Sequence, residues 1–345
     1  MAQLEHVPCP LCGEHAGHLP IEIPDYDGNI RGYGAIYQGL AKSEWKICGR
    51  CGFVHQNPRP TVEALNAYYL EGQYHPHVHS HDADSLVAIN TPAYREEIEF
   101  ALESCNLRNG RVFDIGCGWG VALKVWRDFG FAPYGVEPDP VLCEFGKRNY
   151  GLDQIENRVL DGSIEIEPVD IVFSHHTLEH VADLDALMAG LKKIVRPGSF
   201  VFTAIPTYLR NRTTMSKLWM NSAHYSLFTV RSFNQMLARH GFVEVAHRYE
   251  HWISSPDQFG HVARFTGEPT DPTQFYEDPQ EVARYLRVIN PLRSLVYYPL
   301  HGGYRARLAV GATLARRTLD VLRTDPASLP RRARDYLAWR RSREL

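Results

Sequence analysis

Between Thr91 and about Gly267, stretches with apolar residues at every third or fourth position alternate with short unbroken apolar runs. That alternation is the pattern of βαβ units around a mostly parallel sheet. It predicts strands at Arg111–Ile115, Ala132–Val136, Ile171–Ser174 and Phe200–Ile205, with helices at Ala93–Cys105, Gly120–Phe129, Pro140–Asn149, Asp183–Val195 and Val230–His240. Two further strands, near Val243–Tyr249 and His261–Phe265, would finish the sheet as a hairpin-like pair. The flanks differ in texture. Residues 1–65 are punctuated by Cys, Gly and Pro, as expected where a metal replaces a core. Residues 66–92 carry the end of a short helical pattern, Val62–Leu70, and then turn polar and His-rich. Residues 93–267 form the alternating unit, and 268–345 have the pattern of helices rich in Arg, Leu and Ala. No internal repeat suggests a solenoid or a propeller.

A chain of 345 residues exceeds what one core usually organises, so more than one unit is expected. With 44% hydrophobic and 22% charged residues it has the make-up of a folded globular protein, not a disordered or fibrous one. Met1–Pro10 has no basic segment leading into an apolar one, and nowhere do about 18 apolar residues run together, which points to the cytoplasm. Of the seven cysteines, four fall in two CxxC pairs, a usage that suits metal ligation in a reducing compartment better than disulfides. A net charge of −3 carries no nucleic-acid signature. The exception to that balance is the end of the chain, where Arg316-Arg317, Arg331-Arg332, Arg334, Arg340-Arg341 and Arg343 surround Leu319, Leu322, Tyr336, Leu337 and Trp339. Such a segment is a solvated helix face, a subunit contact, or a weak contact with an anionic membrane or lipid-linked glycan.

The most informative stretch is Val112-Phe-Asp114-Ile-Gly116-Cys117-Gly118-Trp-Gly120, an apolar strand that runs into a glycine-dense turn and then a helix. Glycines there let the backbone approach a ligand at the carboxyl end of the strand. A dinucleotide fingerprint requires Gly or Ala where Val121 stands, and no Gly-Lys-Ser/Thr of a phosphate loop follows. Asp114, just before the first glycine, would repel a pyrophosphate and suits a cationic amino group. Glu137, in Tyr134-Gly-Val-Glu137-Pro138-Asp139, ends the next strand, where such acids accept hydrogen bonds from ribose hydroxyls. Asp161-Gly162-Ser163 lies ahead of the strand at 171–174, a place for contacts with an adenine ring.

Asp114 to Gly120, Glu137 and Asp161 occur in the order of the cofactor motifs of class I S-adenosylmethionine-dependent methyltransferases, and the chain resembles that family. The resemblance continues through Leu178-Glu179-His180-Val181, Leu187 to Pro197-Gly198, Ile205-Pro206 and Phe228 to Gly241-Phe242, roughly half the chain. It implies an α/β Rossmann-like sheet with helices on both faces. It also implies S-adenosylmethionine held by Asp114, Gly116, Cys117, Gly118, Gly120, Glu137, Pro138, Asp161, Gly162, Ser163 and His175.

Cys9-Pro-Leu-Cys12-Gly and Cys48-Gly-Arg-Cys51-Gly are two knuckles that can present four thiolates to one tetrahedral ion, each followed by a glycine that permits the tight turn. A closed four-thiolate site predicts structural Zn2+ in a small ribbon ahead of the catalytic unit. The run Cys51-Gly-Phe-Val-His-Gln-Asn-Pro-Arg-Pro-Thr, with Tyr68-Tyr69 and Tyr74, resembles the zinc-bearing sugar C-methyltransferases and their relatives. Those enzymes carry a second Rossmann-like domain at the C-terminus, where this chain has a basic helical extension.

Methyl transfer from a sulfonium needs alignment of the nucleophile and removal of its proton. Ser174-His175-His176-Thr-Leu-Glu179-His180 leaves a central strand at the right end to supply a base. By resemblance to the sugar enzymes, Glu179 and His180 are a carboxylate–imidazole pair with the imidazole as base; the alternative is that His180 caps the next helix. His176 and the pair His224-Tyr225 are alternates. His75, His77, His79 and His81 alternate beside Asp82 and Asp84, the pattern of a solvated lid or, less simply, of a second metal site. Cys105, Cys117 and Cys143 are expected to be packing residues. The expected function is methylation of a small molecule, either a sugar (nucleotide-linked or in a surface glycan) or a related secondary-metabolite intermediate, on carbon or oxygen. Two rivals are a zinc-containing sensor with little turnover and a protein or nucleic-acid methyltransferase. The second rival is opposed by the few Lys and Arg around Trp45 and by Ser174-His175-His176 standing where an Asn-Pro-Pro-Tyr-like motif would be.

Overall fold

The structure is a computed structural model that describes residues 4–21, 44–64, 67, 83–210, 220, 224–250 and 258–289. The His75–His81 segment and the arginine clusters beyond 289 lie outside the described residues. Five short strands come first: β1 (Leu4–Glu5), β2 (Leu19–Pro20), β3 (Trp45–Ile47), β4 (Val54–Gln56) and β5 (Arg59–Pro60). Then follow α1 (Ala83–Cys105), β6 (Gly110–Ile115), α2 (Val121–Asp128), β7 (Phe131–Val136), α3 (Pro140–Tyr150), β8 (Ile155–Glu156), β9 (Ile171–His175), α4 (Leu184–Ile194) and β10 (Phe200–Pro206). The chain continues with β11 (Ser226–Leu227), α5 (Val230–Arg239), β12 (Phe242–Glu250), β13 (Gln258–Phe265) and α6 (Pro279–Arg284).

Seven strands make the main sheet in the order β12-β13-β10-β9-β6-β7-β8. Strands β6 to β10 pair in parallel, while β13 runs antiparallel to both β10 and β12, so the last two strands do form the expected hairpin-like pair. The two-residue period divides the strands between two cores. Val112, Ile171, Phe173, Phe202, Ala204 and Val262 pack with Ile98 and Ala101 of α1 and Trp126 of α2. Phe113, Ile115, Val172, Val201, Ile205, Phe259 and Ala263 pack on the other face with Leu187, Met188 and Leu191 of α4 and Phe233 and Met236 of α5. Because both faces are covered, these strands are apolar throughout rather than alternating.

Helix ends follow local chemistry. Asp139 accepts from the Val141 and Leu142 amides at the start of α3, with Pro140 in its first turn, and Gly151 closes it in the left-handed region. Thr229 and Ser232 cap α5 reciprocally. Helix α1 begins at Ala83, ten residues ahead of the predicted start at Ala93, and runs through Pro92. Proline disfavours helix at the residue before it, but packing decides here: Leu86 is buried with Val121, Cys143 and Tyr150, and the Tyr150 hydroxyl donates to the Ala83 carbonyl at 3.0 Å. Residues 62–64 and 67 are helical, and the rest of the predicted Val62–Leu70 helix lies outside the described residues. Among the described residues no helix is long and apolar enough to cross a membrane.

The N-terminal strands, expected as a small ribbon ahead of the catalytic unit, share a sheet with a later segment of the chain. Their four-stranded sheet has the order β11-β4-β3-β2, and its edge strand β11 comes from the segment between β10 and α5. Cys9, Leu11, Cys48, Cys51 and Phe53 lie in the same apolar cluster as Phe228, Phe233, Met236 and Leu237. Arg239 donates to the carbonyls of Pro10 and Leu11, at 3.3 and 2.8 Å, and the Glu277 amide donates to the Cys51 carbonyl at 3.0 Å. The four-cysteine module therefore borrows a core from the main sheet's helices.

Candidate cofactor and acceptor site

The glycine turn is tied to the neighbouring strand, since the Gly116 and Cys117 amides both donate to the Val136 carbonyl at 2.9 and 3.1 Å. Gly116, Gly118 and Gly120 have φ of 70°, 53° and 80°, the left-handed region that glycine occupies without steric cost. A Cβ on Gly116 would meet the Thr177 side chain at 2.7 Å, whereas one on Gly118 would meet nothing within 4 Å. The turn is thus packed on one side and open at its tip. Glu137, just past the end of β7, is buried, with one carboxylate oxygen accepting from the Gly118 amide at 2.8 Å and the other from the Asp139 amide at 2.9 Å. Burial pushes its pKa up to about 7 against the pull of those two amides. Asn157 holds the Glu137 and Pro138 carbonyls, each at 2.9 Å. Asp114 is buried beneath the turn; burial pushes its pKa up to about 8, with His175 opposing and Glu137 and Glu97 adding to the rise.

An open glycine tip flanked by one carboxylate below and another on the adjoining strand fits an amino-acid-bearing nucleoside, the kind of cofactor the resemblance implies. Asp161, Gly162 and Ser163 stand in the loop between β8 and β9. There the Asp161 carboxylate accepts from the Ser163 amide at 2.9 Å and from Arg158 at 3.0 Å. Cys105, Cys117 and Cys143 are buried in apolar clusters, where burial pushes each thiol pKa up and disfavours the thiolate, as packing residues require.

At the end of β9, His175 and His176 stack with ring centroids 4.4 Å apart. His175 Nδ1 lies 2.9 Å from a carboxylate oxygen of Glu97, a fully buried residue of α1. Gln258 of β13 donates to the other Glu97 oxygen at 2.9 Å and places its own Oε1 2.6 Å from His176 Nε2. Since that oxygen can only accept, His176 Nε2 carries the proton, and burial holds the imidazole well below its ordinary pKa. His176 is therefore a neutral donor committed to Gln258 through that nitrogen. Sequence reasoning missed Glu97 and Gln258, which are brought to the two histidines across 78 and 82 residues by the sheet and its first helix.

Beyond β9 a 3₁₀ turn spans Leu178–His180. Glu179 is 1% exposed, and neither of its carboxylate oxygens has a hydrogen-bond partner among the described residues. Burial pushes its pKa up to about 8. His180 Nε2 stands 3.9 Å from Glu179 Oε1, and the His180 and His224 rings meet edge to face at 4.5 Å. Ligating atoms of Glu179, His180 and His224 all lie within 4.8 Å of one another. The Tyr225 amide donates to the Glu179 carbonyl at 2.7 Å, which fastens the two segments together. The Tyr225 side chain has structural partners, since its hydroxyl donates to the Pro60 carbonyl at 3.2 Å and its ring lies under Arg59 at 5.3 Å. That hydroxyl joins β5 to the segment before β11.

In the N-terminal module, Cys9 and Cys51 sulfurs are 3.7 Å apart, and those of Cys12 and Cys48 are 3.5 Å apart. Four sulfurs around a tetrahedral ion at a Zn–S distance of about 2.3 Å would be about 3.8 Å apart, so this set fits one ion and is far from disulfide geometry. Gly13 and Gly52, the residues after each knuckle, have φ of 73° and 76°, as tight turns require.

Residues 87–247 match the family model described as "Methyltransferase domain". A ubiquinone biosynthesis O-methyltransferase of Rhizobium etli is 26% identical over 181 residues, which are 49% of this chain and 64% of that protein. Phosphoethanolamine N-methyltransferase 1 of Arabidopsis thaliana is 29% identical over 154 residues, 42% of this chain and 31% of that protein. The chain thus spans less than two thirds of the length of these relatives. A putative S-adenosylmethionine-dependent methyltransferase from Listeria monocytogenes superimposes with a TM-score of 0.41 at 14% identity, covering 51% of this chain and 99% of that one. Residues 87–247, just under half of the chain, carry a methyltransferase domain.

Proposed function

We propose that the protein transfers the methyl group of S-adenosylmethionine to a small-molecule acceptor in the cytoplasm. The acceptor is a sugar, nucleotide-linked or in a surface glycan, or a related secondary-metabolite intermediate. The observation that carries this reading is the Glu179–His180–His224 cluster at the carboxyl end of β9, on the turn whose Thr177 packs against Gly116. The bound cofactor supplies an electrophilic methyl group on a sulfonium. Asp114 lies where it would face the cofactor's ammonium group, and Glu137, with lone pairs left on both oxygens, would hold the ribose hydroxyls. His180 removes the acceptor's proton as the displacement proceeds, with Glu179 stabilising the imidazolium so formed. Structural Zn2+ on Cys9, Cys12, Cys48 and Cys51 supports the reading without a step in the chemistry, since four thiolates leave no open position. A weak contact of the basic C-terminal stretch with anionic lipid or a lipid-linked glycan belongs to the same proposal.

Purified protein is expected to add the mass of one methyl group to a member of a panel of sugar nucleotides and extracted glycans. If the acceptor atom is a carbon next to a carbonyl, substrate incubated in deuterium oxide should exchange that hydrogen, and an oxygen acceptor should not. Failure to bind either S-adenosylmethionine or S-adenosylhomocysteine would overturn the proposal.

A further inference from the structure

We propose that Glu179, His180 and His224 form a second metal centre, distinct from the four-cysteine site, which binds a divalent transition-metal ion and leaves coordination positions open for an acceptor oxygen. Three observations converge. The ligating atoms of the three residues lie within 4.8 Å of one another. Around an ion with metal–nitrogen distances of about 2.1 Å, tetrahedral ligand atoms are about 3.4 Å apart. The 3.9 Å between His180 Nε2 and Glu179 Oε1 needs only a small side-chain rotation to close to that value. Glu179 also buries both carboxylate oxygens without a hydrogen bond among the described residues, an arrangement that is costly for a carboxylate unless a cation compensates it. Finally, the backbone bond from Tyr225 to Glu179 fixes the turn carrying two of the ligands against the segment carrying the third.

Two imidazoles and a carboxylate select a borderline ion such as Zn2+, Co2+, Fe2+ or Mn2+, and three protein ligands leave room for others. The four-cysteine site has the opposite character, soft and closed. This inference deepens the acceptor-activating role proposed for the same cluster and rests on that reading for its function. A cation there lowers the pKa of an acceptor hydroxyl, whose proton leaves to solvent. The oxygen–methyl bond then forms as the sulfur–methyl bond breaks, with the electron pair returning to sulfur. With the ion bound, His180 is a ligand in place of the base described above, and the acceptor's proton passes to solvent instead.

The test uses the full chain with zinc on its cysteines, titrated with Co2+ and followed by visible absorption. A site of nitrogen and oxygen ligands gives weak d–d bands without the intense thiolate charge transfer of a cysteine site. One equivalent of Co2+ with the first kind of spectrum is expected, bound at least tenfold more weakly by Glu179→Gln and by His224→Asn. Wild-type protein that binds no Co2+ with that spectrum overturns the centre, whatever the variants do, and so do variants that bind it as tightly as wild type. Binding of S-adenosylhomocysteine is measured on the same samples. Its retention without Co2+ binding would sink the metal centre alone, while its loss with Co2+ binding intact would sink the methyltransferase reading alone.

Discussion

At the residue scale, chemistry that depends on neighbours in sequence was legible, and chemistry that depends on distant partners was not. Asp114 and Glu137 stand at strand ends that the apolar runs locate, so their placement beside the glycine turn could be read from spacing. Glu97 could not, because nothing in an amphipathic helix marks one acid as the partner of His175, 78 residues away. The buried state of Asp114 makes a pH prediction. With its pKa pushed up to about 8 by burial, the ligand-free carboxyl holds a proton at pH 6, and a cationic ligand has to displace it. Affinity for S-adenosylmethionine should therefore rise between pH 6 and 8, by at most about tenfold per unit, and level off above. Asp114→Asn should bind more weakly with that dependence reduced, and calorimetry across pH would show it; an unchanged profile would remove Asp114 from the site. Stability should move the opposite way. The native state keeps a proton that the unfolded chain releases near the ordinary Asp range, so Asp114's contribution is full below that range and is lost as pH rises through about 8.

At the element scale, the strands β6, β7, β9 and β10 and the helices α2 to α5 lie within a residue or two of their predicted bounds, because each buries a face that its period announces. Strands β8 and β11 are two residues long and announce nothing. The glycine turn separates packing from binding. Gly120 has φ 80°, and a Cβ there would stand 2.7 Å from Leu152 Cδ1, so Gly120→Ala should lower stability by about 1–3 kcal/mol. Gly118→Ala meets open space, and its left-handed strain of about 1–2 kcal/mol should be accompanied by a loss of S-adenosylhomocysteine affinity larger than that of Gly120→Ala. Thermal melts and calorimetry on the two variants distinguish these outcomes, and equal effects on both would place the cofactor elsewhere. Tyr225 is a connecting element in the same sense. Tyr225→Phe removes the hydrogen bond to Pro60 and should cost about 1 kcal/mol while leaving turnover within a few fold. A large loss of turnover at unchanged stability would return that hydroxyl to the chemistry.

At the scale of the whole molecule, the sequence suggested modules in series, but the structure joins the first to the third. Paired CxxC knuckles identify the ligands and say nothing about what covers them. Here the cover comes from β11, from Phe228 and Phe233, and from Glu277, more than 170 residues downstream. A four-cysteine cluster that shares its core with α5 is not expected to be lost alone. Cys9, Cys48 and Cys51 are buried, and Cys12 partly buried, in the cluster that also holds Val201, Ile205 and Phe259 of the main sheet, so unfolding the knuckles exposes the face of the sheet they help cover. Cys51→Ser, or exhaustive chelation, is therefore expected to lower the melting temperature of the entire protein in one calorimetric transition. For a cooperative unit of 150–250 residues each kcal/mol lost moves that temperature by about 2–4 °C. S-adenosylhomocysteine binding should weaken in parallel, since Phe113, Ile115 and Val136, on the strands that lead into the glycine turn, lie in the same apolar cluster as Cys9, Cys48 and Cys51. Two separate transitions, with the upper one and the binding unchanged after zinc is removed, would show that the ribbon folds on its own account and that the shared apolar cluster contributes little to either part.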